Sequence, residues 1–301
     1  MLTSENSAQT MTLHPLVLKG LTPELLRQAQ EEVGETPEVK AKSIEQLKRL
    51  IKENADFVCW MDDSFLVRFL RFAKYDVQKA FKTIRNYYTF KAKFAGQYTN
   101  FKPSEVKHIL EKNHILVSPY RDPHGGSIFI LALGSFDADL VPMKELMAAI
   151  MVCSEVAICD ETIQLCGSTV IFDFQGSSMR KLLHFASFQL LSFAFTGLQN
   201  CWPFRINGFH VVNDPSYFSI LFRILKPLLS NKMRERFHVH GKNLKNFHKY
   251  IPPENLPEEL GGKLGPMDTT EYRIHILSGE SYMEKLNRYG YEEQNTTSKS
   301  L

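Results

Sequence analysis

The residues able to do chemistry are scattered through this 301-residue chain, and their spacing builds no catalytic set. No GxGxxG follows a strand-like run, no GxxxxGK[ST] phosphate loop is present, and no GxSxG nucleophile turn occurs. Gly125-Gly126 and Gly261-Gly262 are isolated pairs and read as turns. His238 and His240 are two apart, so a strand would put both imidazoles on one face, but no third ligand lies at a useful spacing for a metal. Cys153, Cys159 and Cys166 are spaced by six and seven, which matches no zinc pattern, and they read as buried small hydrophobes. With Cys59 and Cys201 the count is five, odd and without a CxxC pair, which suits reduced thiols in a reducing cytosol. Asp160 and Glu161 are adjacent and need not converge on one substrate atom. Asp173 ends a strand-like run and reads as a structural cap. The sequence thus predicts no catalytic residue, no metal and no cofactor, and points to a binding module rather than an enzyme.

Two other features stand together. From Lys226 to Lys249 there are seven basic residues (226, 232, 234, 236, 242, 245 and 249) against one acid, Glu235. That local charge of +6 exceeds the +3 of the whole chain. Lys232 and Arg236 are four apart, so a helix would turn both toward one multiply phosphorylated headgroup. Directly before this run lies Tyr217 to Lys226, apolar almost all round and preceded by Asp214-Pro215-Ser216 as its cap. An oily helix beside focused positive charge is what a reversible contact with an anionic leaflet requires, each Lys or Arg contributing about 1 kcal/mol there. Nucleic acid is disfavoured, because the neighbours are aliphatic and not stacking aromatics between basic residues.

The elements that must position these features follow from composition and periodicity. At 44% hydrophobic and 23% charged the chain is ordinary globular material, which excludes collagen-like, coiled-coil and wholly disordered classes. To about Asn100 it reads as helical, with starts at Thr22-Pro23-Glu24, at Ser43, at Asp62-Asp63-Ser64 and at Asp76, the last with Lys79, Lys82 and Arg85 outward. Beyond Pro103, strand-like runs at 115–117, 128–131, 169–173, 206–212 and 236–240 alternate with helical ones, which argues for an α/β sheet with parallel pairing. The helix Met143 to Ile158 carries more apolar residues than one packed face needs. Leu182 to Pro203 holds no Lys, Arg, Asp or Glu, yet its Ser, Gln, Thr and Asn weaken any membrane insertion. It is predicted as one long helix buried in protein or facing a lipid-filled cavity. No secretory signal is visible at the amino terminus, and the sequon at Asn295 reads as coincidence.

Several of these stretches carry a resemblance. Asp62 to Phe72 with Asn86-Tyr87-Tyr88, Ile171-Phe172-Asp173-Phe174-Gln175-Gly176, Trp202 to Ile206, His210 to Pro215, Lys226 to Leu229, Arg236 to Gly241 and Leu256 to Gly262 together resemble the CRAL-TRIO (Sec14-like) lipid-binding family, in the branch of the tocopherol- and retinaldehyde-binding proteins. The resemblance implies an α/β fold, a Sec14-like domain with a mostly parallel sheet and a hinged lid helix, preceded by a small all-α domain. The expected divisions are a flexible tail over 1–20, a helical domain over 21–100, the lipid-binding domain over 101–265 and a carboxy-terminal extension over 266–301 whose last residues are disordered. Ser216 to about Leu229 would be the lid, its oily outer face meeting membrane when open.

Carried position by position, the resemblance puts a lipophilic pocket on Met147, Ile150, Ser154, Phe172, Ile206, Phe209, Phe218, Phe222 and Leu225, with Ser154 as a hydrogen-bonding partner for the cargo. Polar replacement of Phe218 and Phe222 is expected to weaken vesicle docking. The family's phosphoinositide cluster falls on Arg205, Lys232 and Arg236; its fourth arginine falls on Ala73, beside Lys74, which would substitute. A second pocket serine of the tocopherol-binding members falls on Ile150, so the cavity would be more apolar. The expected function is a cytoplasmic, monomeric carrier of one tocopherol-, retinoid- or similar lipid-like molecule between membranes, reversibly associated with endosomal or plasma membranes and opened by phosphoinositide contact. The alternative is a phosphoinositide-sensing membrane adaptor without ligand transfer.

Overall fold

The computed structural model describes residues 21–122, 124–137, 140–185, 187–197 and 201–291, leaving aside the side chains of Leu182, His184, Phe185, Leu221, Leu225 and Leu228. The segments 1–20 and 294–301, and with them the sequon at Asn295, lie outside the described residues. Among the described residues four helices come first: α1 (Pro23–Val33), α2 (Pro37–Asn54), α3 (Asp63–Phe72) and α4 (Val77–Lys93). Thr22 accepts from the Leu25 amide at 3.3 Å, Asp62 from Ser64 at 2.9 Å and Asp76 from Lys79 at 2.9 Å, each satisfying a donor that the first turn leaves free. The start expected at Ser43 is corrected. Thr36-Pro37-Glu38 repeats the Thr22-Pro23-Glu24 signal, Thr36 accepts from Val39 at 3.2 Å, and Ser43 is buried inside α2. Helices α2, α3 and α4 meet in one core that includes Leu47, Ile51, Leu66, Phe69, Leu70, Ile84 and Tyr88, while α1 packs on Leu165 and Cys166.

The chain continues through α5 (Lys107–Leu110), β1 (Ile115–Val117), β2 (Ser127–Ala132), α6 (Met143–Ala157), α7 (Glu161–Cys166), β3 (Ser168–Asp173), α8 (Met179–Phe185), α9 (Phe188–Gly197), β4 (Ile206–Val212), α10 (Phe218–Leu225), α11 (Asn231–Arg236), β5 (Phe237–Val239), α12 (Leu244–Phe247), α13 (Thr270–Ser278) and α14 (Glu280–Leu286). The five strands lie side by side in chain order, β1 antiparallel to β2 and every later pair parallel. Phe129, Val170, Phe209 and Phe237 are aligned across β2 to β5, and so are Ile130, Ile171, His210 and His238. Neighbours along a strand point to opposite faces, so these two rows line opposite sides of the sheet. The side bearing Ile130 and Ile171 packs on Phe247, Ile251, Leu256 and Leu260.

The charge-free stretch from Leu182 is two helices and not one long one. The hydroxyl of Ser187 accepts from the Leu190 amide at 3.3 Å, so a polar residue inside the apolar run starts a new helix. Leu190 and Phe193 of α9 are buried against Phe90, Phe94 and Tyr98. Among the described residues no helix is long and apolar enough to cross a membrane. Downstream of Gly265, Ile276 of α13 and Met283 and Leu286 of α14 join the core shared by the first helices and α6. Tyr289 stacks on Trp60 at 5.6 Å and 4°, and Val58 pairs with Gly290.

Candidate functional site

Helix α6 has two apolar sides. Leu146, Ala149, Val152, Cys153 and Val156 are buried in the core, whereas Met143, Met147, Ile150, Met151 and Ser154 are half-buried. The second set recurs at steps of three and four, one stripe of a helix. Ser154 donates to the Ile150 carbonyl at 2.8 Å, which leaves its oxygen lone pairs as acceptors on that stripe.

Met143, Met147 and Met151 pack on Phe90, Phe94, Leu190 and Phe193. A separate series of phenylalanine rings runs from the sheet to the helix expected to be the lid. Phe172 of β3 stacks with Phe209 of β4 at 5.8 Å, and Phe209 with Phe237 of β5 at 4.5 Å. Phe237 meets Phe222 of α10 at 5.7 Å, Phe222 meets Phe218 at 6.0 Å, and Phe218 meets Phe174 at 5.1 Å. Met147, Ile150, Phe172 and Phe218 pack against the same core. Ile206 is half-buried at the first residue of β4, and the Leu225 side chain lies outside the described residues.

Helix α10 has a second face. Ile220 and Ile224, one turn apart, are 54% and 66% exposed, with Arg223 and Lys226 exposed beside them. Phe218 and Phe222, expected to take part in docking, turn toward the sheet, and the outward apolar pair is Ile220 and Ile224. Met179 and Leu183 of α8 and Phe188 of α9 are also exposed; for Leu183 and Phe188 the missing charge from Leu182 onward is the signal that could have found them. The expected cap from Asp214 is corrected too. Its carboxylate accepts from the Gly241 amide at 2.7 Å, and Asn213 donates to the Gly241 carbonyl at 2.8 Å, so this residue pair ties the segment before α10 to the end of β5. The helix itself begins at Phe218.

The basic residues converge next to this segment. Ser230 caps α11, accepting from Met233 at 3.3 Å, and Lys232 and Arg236 lie one turn apart on it. Burial first, then the charges of Arg236, Lys79, Lys74 and Arg205, pull the Lys232 ammonium below its ordinary pKa. Burial and Arg205 do the same to Arg236. Lys74, Arg205, Lys232 and Arg236 therefore share one field, and Lys79 joins them. Sequence reasoning placed Lys79 outward on its helix without a spatial partner. Like charges held this close repel, and a polyanion relieves the repulsion. Arg205 is already engaged, its Nη1 lying 2.7 Å from Glu32 of α1 and donating to the Leu165 carbonyl at 2.8 Å.

The remaining candidates are structural. His238 and His240 gain a neighbour in His210, whose Nδ1 is 3.0 Å from His240 Nε2. Among the described residues no group of three His, Cys, Asp or Glu is arranged to hold a metal ion. Asp173 accepts from Asn213 at 2.8 Å and from the Gln175 amide at 3.0 Å, and burial raises its pKa. Asp160 pairs with Arg121 at 2.9 Å while Glu161 pairs with Arg71 at 3.0 Å, so the two adjacent acids diverge. Cys153 and Cys166 are buried, but Cys159, beyond the last turn of α6, is exposed, contrary to expectation.

A mostly parallel five-stranded sheet, a helical amino-terminal region and an apolar helix packed on the edge strand describe a mixed α/β protein. The model of the CRAL/TRIO domain matches residues 111–262. "Alpha-tocopherol transfer protein-like" of Homo sapiens is 32% identical over 278 residues, covering 92% of this chain and 81% of the relative. "Clavesin-1" of Rattus norvegicus is 32% identical over 279 residues, covering 92% and 78%. The chain belongs to the CRAL-TRIO family. A solved structure of Sfh5 superposes with a TM-score of 0.48 at 13% identity, covering 88% of this chain and 99% of that one.

Proposed function

We propose that this protein is a cytoplasmic, monomeric carrier that holds one hydrophobic small molecule beneath α10 and moves it between membranes. The observation that carries the reading is the pair of half-buried apolar surfaces, the stripe Met143, Met147, Ile150, Met151 and Ser154 on α6 and the phenylalanine series under α10, the latter helix bearing Ile220 and Ile224 on its outer side. Met and Phe suit an irregular apolar surface, and a bound lipid would cover area that costs about 25 cal/mol per Å² in water. Cargo leaving a bilayer for such a pocket changes its apolar surroundings little, so exchange is reversible and no covalent step is needed. Ser154 would meet the polar end of the cargo. The relative named as tocopherol transfer protein-like supports a tocopherol-, retinoid- or similar lipid-like cargo.

Lys74, Arg205, Lys232 and Arg236 would bind a phosphoinositide headgroup, with Lys79 added. Because this patch follows α10 directly and Asp214 ties the segment before α10 to Gly241, headgroup binding would act on both ends of the lid and favour opening at endosomal or plasma membranes. Native mass spectrometry with lipid extraction of protein from its own tissue tests the reading. The expected result is one apolar molecule per chain and its transfer between vesicles. The contacts of the phenylalanine rings with one another favour a second reading, a phosphoinositide-sensing adaptor; vesicle binding with no extracted lipid and no transfer would select it.

A further inference from the structure

We propose that Glu32 of α1 is a specificity-determining residue of the basic patch, an internal carboxylate that occupies an anion's place beside Arg205 and yields it only to a multiply phosphorylated headgroup. The inference rests on the reading of the patch as a headgroup site. Glu32 Oε2 lies 2.7 Å from Arg205 Nη1, and Gln28, one turn earlier, donates to Oε1 at 2.8 Å, so both carboxylate oxygens are held. The helix that carries it is seated. Leu25, Ala29 and Val33 pack with Leu165, Cys166 and Tyr75, which brings the Lys74 turn and the end of α7, whose Leu165 carbonyl Arg205 holds, under α1. Burial works against ionisation of Glu32, but hydrogen bonds from Gln28 and Arg205 and the charges of Arg205 and Lys74 outweigh it and keep the carboxyl below its ordinary pKa.

The patch therefore contains its own counter-ion. A lipid with a single negative charge offers Arg205 what Glu32 already supplies, and the exchange must desolvate both partners. A headgroup with two phosphomonoesters carries roughly −3 to −4 at pH 7. It reaches Lys232 and Arg236 as well as Arg205, and so displaces the carboxylate. Glu32 and Arg205 are each more than a third exposed, so removing the competitor changes occupancy modestly, roughly two- to fivefold.

Co-sedimentation of the full chain with phosphatidylcholine vesicles tests this, the vesicles carrying either phosphatidylserine or phosphatidylinositol 4,5-bisphosphate at matched charge. Glu32→Gln is expected to raise phosphatidylserine binding roughly two- to fivefold and bisphosphate binding less, so that selectivity falls. Glu31→Gln removes the same charge one residue away, where Glu31 pairs with Arg27, and is expected to keep the wild-type ratio. An unchanged ratio in Glu32→Gln, or an equal change in Glu31→Gln, overturns the inference while the patch reading stands. If K232E/R236E leaves bisphosphate binding intact, the patch reading itself fails and the inference with it. Soluble inositol trisphosphate is expected to compete the protein off bisphosphate vesicles. Failure to compete would place selectivity in the bilayer surface and refute the role of Glu32.

Discussion

Phe222 of α10 packs on Phe237 of β5 with ring centroids 5.7 Å apart, so an aromatic contact seats the apolar helix on the edge strand of the sheet. Such a pair contributes about 0.5–1.5 kcal/mol beyond its buried area, a modest part of what holds α10 on the sheet. Phe222→Ala is expected to raise amide exchange over 216–229 several-fold and to speed loss of a fluorescent lipid by about tenfold. The melting temperature should fall little, because the residue is only half-buried. Unchanged exchange in that segment would remove Phe222 from the closure.

Ile220 and Ile224 face away from that contact. Full burial of an Ile is worth roughly 1.5–3 kcal/mol, so losing two partly buried in lipid should cut vesicle partition by at least about tenfold. The I220S/I224S variant is expected to do this with ligand affinity unchanged. Equal loss of ligand binding in vesicle-free solution would show that the pair belongs to the interior.

The histidines give a pH dependence. Burial, with the charges of His238 and His240, depresses His210 to about 3; burial and His238 depress His240 to about 4. His238 and Tyr250 face these rings from β5 and the segment after α12, and Phe247 covers them. A histidine whose folded pKa lies below its unfolded one binds fewer protons in the native state. Stability is therefore full above about pH 6.5 and falls as the pH drops toward 4. His240→Gln should flatten the stability–pH slope in that window by about one proton; an unaltered slope would refute it.

Arg68 and Glu155 form a buried pair at 3.3 Å, with the Tyr87 hydroxyl donating to Glu155 and Arg68 donating to Tyr282 at 2.9 Å. Lys91 is near enough for Glu155 to oppose the burial that lowers its pKa to about 8. Glu155→Ala strands both cations and is expected to cost about 3–5 kcal/mol, read as a lower urea midpoint at constant m. R68M/E155M should recover most of that loss. A single-variant cost below about 1 kcal/mol would mean that water already reaches the pair.

Much of this protein is legible along the chain because its signals are local. Thr22, Asp62 and Asp76 cap helices through bonds spanning two or three residues, and the apolar runs at 115–117 and 206–212 become strands with those limits. At Ser43 and in the stretch from Leu182 the structure departs from the sequence expectation, because another local signal, Thr36-Pro37 or the Ser187 hydroxyl, decides the helix start. The family was legible for a different reason: its motifs are ordered along most of the chain.

What a side chain faces depends on residues far away in sequence, and only the tertiary structure settles it. The periodicity of α10 cannot say that Phe222 turns in and Ile224 out, because both sides are apolar; Phe237 on β5 makes the difference. Nor can spacing show that Glu32 sits on Arg205 across more than 170 positions, or that Lys79 belongs with Lys232. Hydrogen bonds and hydrophobic periods act over a few residues and are encoded where they act. Charge fields and packing act through space, so the folded chain decides which groups feel one another.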